Sequence, residues 1–137
     1  MAFVLDASAA LPWCFQDEGT PATDQLLANA AAGERFYVPS HWPIEILNGL
    51  TRAERRGRLN EVDVEEFLAD LLRYHIVVDT REIQQQWSEA RSLVVKHRLS
   101  AYDAAYLALA KRLGVGLATL DGQLRLAAQA EGIPLVI

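Results

Sequence analysis

The chain has 137 residues, 51% of them hydrophobic and 23% charged, with a formal net charge of −5. That length suits one domain, residues 1–137, with a core of ordinary size, and the acidic balance gives no global attraction to nucleic acid or membranes. The single cysteine, Cys14, excludes an intrachain disulfide, and no stretch is long and apolar enough to span a bilayer. Residues 1–15 lack the basic start of a secretory signal, so a reducing cytoplasm is the expected location.

Phe3-Val4-Leu5 is a short apolar run ending at Asp6, and it predicts a strand followed by a brief helix from Ala7 to Phe15. Thr23 to Ala32, rich in Ala and Leu, predicts a helix ending at Gly33. Phe36-Tyr37-Val38 then predicts a second strand closed by Pro39, after which Ser40 is the expected cap of the helix carrying Glu45. Val64, Phe67, Leu68, Leu71 and Leu72 recur at helical spacing and leave Asp63, Glu65, Glu66 and Asp70 on a solvated face. Ile76-Val77-Val78 is the third expected strand, and the helix after it has Ile83, Trp87, Ala90 and Val94 among its apolar positions. Ala101 to Leu113 predicts a helix stopped by Gly114, Gly116 to Thr119 a strand, Gln123 to Ala130 a helix stopped by Gly132, and Leu135 to Ile137 a last strand. This alternation predicts an α/β fold with a parallel sheet covered by helices on both faces. Ligands of such sheets sit beyond the carboxyl ends of the strands, where strand order reverses.

Four acids, Asp6, Glu45, Asp103 and Asp121, stand where apolar elements begin or end. Taking ionised carboxylates out of water is costly without compensation, and gathering them raises their pKa values. A hard divalent cation such as Mg²⁺ relieves both burdens and leaves room for a phosphate substrate. Each acid also has an ordinary reading. Ser100 and Asp103 have capping-box spacing, Asp121 and Asp6 are placed as helix caps, and Glu45 sits near a helix end. The combination favours a site, because Asp103 shares a helical stripe with Tyr106, Leu107 and Ala110, and Glu45 precedes Asn48 and Arg52 on a polar stripe. His41, His75 and His97 are scattered and Cys14 lies between Trp13 and Phe15, so water is the expected nucleophile and metal-dependent phosphodiester hydrolysis the expected reaction.

At these residues the chain resembles the PIN-domain ribonucleases, most closely the VapC-type toxins of VapBC toxin-antitoxin pairs. The resemblance runs from Val4-Leu5-Asp6-Ala7-Ser8 through Val38-Pro39-Ser40, Glu45-Ile46-Leu47-Asn48 and Arg55-Arg56-Gly57-Arg58-Leu59 to Leu99-Ser100-Ala101-Tyr102-Asp103-Ala104 and Ala118-Thr119-Leu120-Asp121. It implies a PIN-like three-layer α/β/α fold with a five-stranded parallel sheet of order 3-2-1-4-5. It also implies a homodimer and a Mg²⁺ or Mn²⁺ site formed by Asp6, Glu45, Asp103 and Asp121, with Ser8, Asn48 and Thr119 as supporting polar residues. The implied activity is cleavage of single-stranded or loop RNA to a 5′-phosphate and a 3′-hydroxyl, restrained by a cognate VapB-type antitoxin.

Two basic clusters, Arg52 to Arg58 and Lys96 to Arg98, are either solvated helix ends or RNA-binding surfaces, with Arg52, Arg55, Lys96 and Arg98 the candidate contacts. Trp13 and Trp42 are expected in the core or an interface rather than on RNA. A haloacid-dehalogenase phosphatase would need an acid where Ser8 stands, and a phosphoacceptor receiver domain would need acidic company for Asp79. A noncatalytic interaction module is the remaining alternative, and retention of all four acids argues against it.

Overall fold

The computed structural model describes residues 2–137. Its central strand, β1 (Phe3–Leu5), pairs in parallel with β2 (Arg35–Val38) on one side and β4 (Gly116–Ala118) on the other. Beyond β2 lies β3 (His75–Val78), giving a four-stranded sheet of order β3-β2-β1-β4. Phe3 aligns with both Phe36 and Gly116, and consecutive residues of β1 point to opposite faces. Since Phe3, Val4 and Leu5 are all buried, both faces of the sheet are covered at its centre.

The helix after β1 is shorter than expected. Helix α1 (Ala7–Ala10) tightens into a 3-10 turn at Leu11–Trp13, where Pro12 supplies no backbone donor. Helix α2 (Pro21–Ala31) is fixed at its start by reciprocal hydrogen bonds between Thr20 and Thr23, and α4 (Glu61–Leu71) by the same arrangement of Asn60 and Asp63. Helix α3 (Trp42–Arg55) carries Glu45, but Ser40 does not cap it. The chain enters through a turn in which the Trp42 N–H donates to Pro39 O, so His41 occupies the cap position with an already helical backbone. Helix α5 (Ile83–His97) lies against α6 (Ala101–Leu113), which buries Ala104 and Tyr106 to Ala110 and packs on β1, β2 and β4. The left-handed Gly114 ends α6 at φ 67°, and α7 (Gly122–Ala130) completes the chain's helices. Among the described residues no helix is long and apolar enough to cross a membrane.

A fifth strand at Leu135 to Ile137 does not form; the segment makes a single parallel bridge between Leu117 and Leu135. Leu117 receives both available bonds, its N–H donating to Pro134 O and its carbonyl accepting from Val136 N. The ladder goes no further because β4 itself ends at Ala118; beyond the bridge Arg125 Nη1 donates to Thr119 O at 3.0 Å and to Ile137 O at 2.5 Å. Gly116 permits this close approach: a Cβ there would lie 2.8 Å from Val136 Cγ2.

Lys96, His97 and Lys111 converge on Glu131 at 2.7 to 2.8 Å, joining the ends of α5, α6 and α7. Hydrogen bonds from Lys111, Lys96 and His97 hold the Glu131 carboxyl down at about 2. A depressed carboxyl contributes stability that is present above its unfolded value and lost as pH falls through the folded one. Acid titration of wild type monitored by circular dichroism should therefore show stability falling between about pH 4.5 and 2. In Glu131→Gln the protein should be less stable at neutral pH and its decline in that window shallower.

Candidate active site

The sheet reverses direction at β1, since β2 follows on one side and β4 returns on the other. The crevice beyond these two strands receives Asp6 from the end of β1 and Asp121 from the loop after β4. Helix α3 adds Glu45, Asn48 and Arg52 at successive turns, and the first turn of α6 adds Asp103. Asp6, Ser8, Glu45, Asn48, Arg52, Asp103 and Asp121 line one cleft of about 250 Å³.

Asp6 is buried, and both its side-chain hydrogen bonds fall on one oxygen. Ser8 Oγ donates to Oδ2 at 2.7 Å and Thr119 Oγ1 donates to the same atom at 2.6 Å. Glu45 repeats the pattern, with the Tyr106 hydroxyl donating to Oε1 at 2.8 Å and His41 Nε2 lying 2.9 Å from that oxygen. The His41 ring is not aligned for a good hydrogen bond to that oxygen. Asp121 caps α7 by accepting from Leu124 N on Oδ1 at 2.8 Å, which makes its cap and site readings compatible. Asp103 is half-buried; Ser100 Oγ accepts from its backbone N–H, so Ser100 caps α6 without a full capping box.

Burial pushes the Asp6 carboxyl up against the opposing hydrogen bonds from Thr119 and Ser8, and the Glu45 charge adds to the rise. Burial also raises Asp103, followed by the charges of Asp121 and Asp6. For Glu45 burial is outweighed by the contacts with His41 and Tyr106, which hold the carboxyl below its usual range. The Tyr106 phenol is driven far up by burial and by the charges of Asp6 and Glu45, and therefore keeps its proton as a donor.

The four candidate RNA contacts are not brought together. Arg52 lines the cleft and Arg55 stands exposed farther along α3, whereas Lys96 is committed to Glu131. Arg98 is exposed in a left-handed conformation at the end of α5. Arg58 ties Asp17 and Glu18 to the surface and covers the Phe15 ring. Trp42 is buried, and Trp13 donates to Thr23 O while packing on Phe36 and Tyr74. His41 and Tyr106 were not singled out by sequence reasoning as site residues. Helical spacing held the signal, since His41 lies four residues before Glu45 and Tyr106 three after Asp103.

A parallel α/β sheet with an acidic cleft at its reversal point places the protein among open α/β folds that bind ligands there. The sequence pattern of the PIN domain matches residues 3–130. Ribonuclease VapC9 of Mycobacterium tuberculosis is 35% identical over 133 residues, covering 93% of this chain and 92% of the relative. Ribonuclease VapC3 of Pyrobaculum aerophilum is 29% identical over 137 residues, covering 100% and 98%. The chain belongs to the PIN-domain family, among its VapC ribonuclease toxins. Solved structures agree on the fold: PAE2754 from Pyrobaculum aerophilum aligns at TM-score 0.73 and 20% identity, covering 99% of this chain and 90% of that one. VapBC2 from Rickettsia felis, solved with a promoter DNA fragment, aligns at 0.69 and 14% identity, covering 98% and 97%. Membership displaces the haloacid-dehalogenase and receiver readings.

The raised Asp6 and Asp103 have a consequence opposite in sign to that of Glu131. A carboxyl whose folded pKa is raised contributes stability below its unfolded value, near 3.8, and loses it as pH climbs through the folded value. In EDTA, thermal unfolding should show Asp103→Asn more stable than wild type at pH 7, with the difference vanishing below pH 4. Equal melting temperatures at both pH values would show that repulsion in the cleft is negligible.

Proposed function

We propose that this ribonuclease cuts RNA internally by hydrolysis, with Mg²⁺ or Mn²⁺ held by Asp6, Glu45, Asp103 and Asp121. The carrying observation is the way three of these acids are fastened. In Asp6, Glu45 and Asp121 the hydroxyl, phenol and cap hydrogen bonds fall on a single oxygen of each carboxylate, and all three residues line the cleft. That donor set is all oxygen, as hard cations require. Among the described residues no three His, Cys, Asp or Glu side chains are gathered closely enough to cage a metal ion unaided. Mg²⁺ usually keeps several waters and binds through one or two carboxylates.

The bound cation would lower the pKa of a water and offset phosphate charge. Asp6, being buried and doubly held, fixes the floor of the cleft. Ser8 and Thr119 keep its Oδ2 inward, and Asn48 adds a polar group beside Glu45. Asp103 adds its carboxylate to the set from the first turn of α6. Arg52 is the cation positioned to meet the phosphate chain. A cognate VapB-type antitoxin and a second copy of this chain are the proposed partners, and the cytoplasm the proposed setting. Exposed Ile83, Trp87, Val95 and Tyr102 on α5 and α6 provide apolar surface of the kind partners cover.

The test uses purified, antitoxin-free protein and labelled single-stranded RNA. Mg²⁺ and Mn²⁺ should support cleavage, Ca²⁺ poorly, and EDTA should stop it. Asp6→Asn and Asp103→Asn should each lose more than about a hundredfold in rate while staying folded, exceeding the usual loss for a supporting partner. Cleavage that persists after chelation, or full activity in either folded variant, would falsify the metal mechanism. In the same assay Arg52→Ala should weaken RNA binding and shrink its salt slope by about 0.7, whereas Lys96→Ala should leave both unchanged. Added cognate antitoxin should end cleavage, and sedimentation should give a dimer.

A further inference from the structure

Glu45 stands apart from Asp6 and Asp121 in what holds it. Asp6 is fastened by hydroxyls beside its own strand end, and Asp121 by the first turn of its own helix. Glu45 is held from another helix, by a tyrosine 61 residues away that is fully buried in the core. Phenylalanine would fill the same apolar space, so packing alone does not call for the Tyr106 hydroxyl. That hydroxyl emerges from α6 one turn beyond Asp103 and ends on Glu45 Oε1. It therefore links two helices that each carry an acid of the cleft. His41, one turn before Glu45 on α3, stands beside the same oxygen and meets the Tyr106 ring edge-on at 5.3 Å. Oε2 of Glu45 has no donor among the described residues. A partly exposed glutamate with three side-chain torsions would otherwise sample many positions, and a ligand left to do so binds a cation weakly.

Resting on the cation reading above, we propose that Tyr106 is a positioning residue. With His41 it holds Oε1 of Glu45, sets the span between Glu45 and Asp103, and leaves Oε2 as the oxygen offered to the cation.

The test measures Mn²⁺ binding to the RNA-free protein by calorimetry in wild type, Tyr106→Phe, Glu45→Ala and the double variant. Tyr106→Phe should weaken Mn²⁺ by roughly tenfold to a hundredfold, the usual effect of removing a group that orients a ligand. If the tyrosine acts through Glu45, adding Tyr106→Phe to Glu45→Ala should change nothing further. The proposal is overturned if folded Tyr106→Phe binds Mn²⁺ like wild type, or if its loss persists at full size in the Glu45→Ala background. An Asp6→Asn control separates the two levels of inference. Unchanged Mn²⁺ binding in Asp6→Asn and Glu45→Ala refutes the acid site itself, whereas loss there with wild-type binding in Tyr106→Phe refutes only the tyrosine's role. Should Tyr106→Phe fail to fold, the Mg²⁺-induced infrared difference between wild type and Glu45→Gln decides. One-oxygen ligation separates the two carboxylate stretches, and a narrowed pair, meaning both oxygens bind, would overturn the proposal.

Discussion

A buried carboxylate at the end of the central strand is the constraint around which the rest of the structure is arranged. Asp6 N donates to Ala118 O at 2.9 Å, so the strand pairing of β1 and β4 runs up to the acid itself. Removing that carboxylate from water is unfavourable by several kcal/mol, and hydrogen bonds to charged groups return about 1.5–3 kcal/mol each. Two hydroxyls provide that return, and both have further work. Thr119 Oγ1 accepts from Asp121 N, and Ser8 Oγ accepts from Leu120 N, so the groups that stabilise Asp6 also shape the loop bearing Asp121. Position of one acid and position of another are thus a single network.

Charge is treated in two contrasting ways within the same chain. Glu131 is surrounded by two lysines and a histidine, and is neutralised where it stands. The cleft acids receive hydroxyls, a backbone amide and a phenol, which orient an anion without cancelling it, with His41 beside Glu45. Arg58 and Arg112 are likewise occupied by acids elsewhere, on Asp17 and Glu18 and on Asp79 and Glu89. Most paired cations therefore serve the scaffold, while the cleft keeps an unmet negative charge that an incoming cation can satisfy.

Where the sequence was most legible, local chemistry and fold agreed. The strand runs Phe3-Val4-Leu5, Phe36-Tyr37-Val38 and Ile76-Val77-Val78 are strands, Gly114 ends its helix, and Asp6, Glu45, Asp103 and Asp121 meet in one cleft. Adjacent placement of β1 and β4 at the reversal follows the rule for open α/β sheets. What escaped depends on partners distant in sequence. The residues of the unformed fifth strand read as a strand by composition, but β4 ends at Ala118 and leaves them a single bridge, Leu117 to Leu135. Lys96 reads as a free cation until Glu131 is brought beside it, and Ser40 reads as a cap until the turn at Pro39 passes that position to His41. Tyr106 was correctly placed on a core-facing stripe, yet nothing short of the α3–α6 packing reveals that its hydroxyl reaches Glu45.

The hydrogen bond from Thr119 to Asp6 spans 113 residues of chain. During synthesis Asp6 leaves the ribosome early, while Thr119 and Asp121 are made more than a hundred residues later. Until that last segment is free to dock beside β1, Asp6 lacks one of its two holding hydroxyls and the cleft lacks its fourth acid. The cleft of a growing polypeptide of this kind therefore comes together only once nearly the whole chain is available.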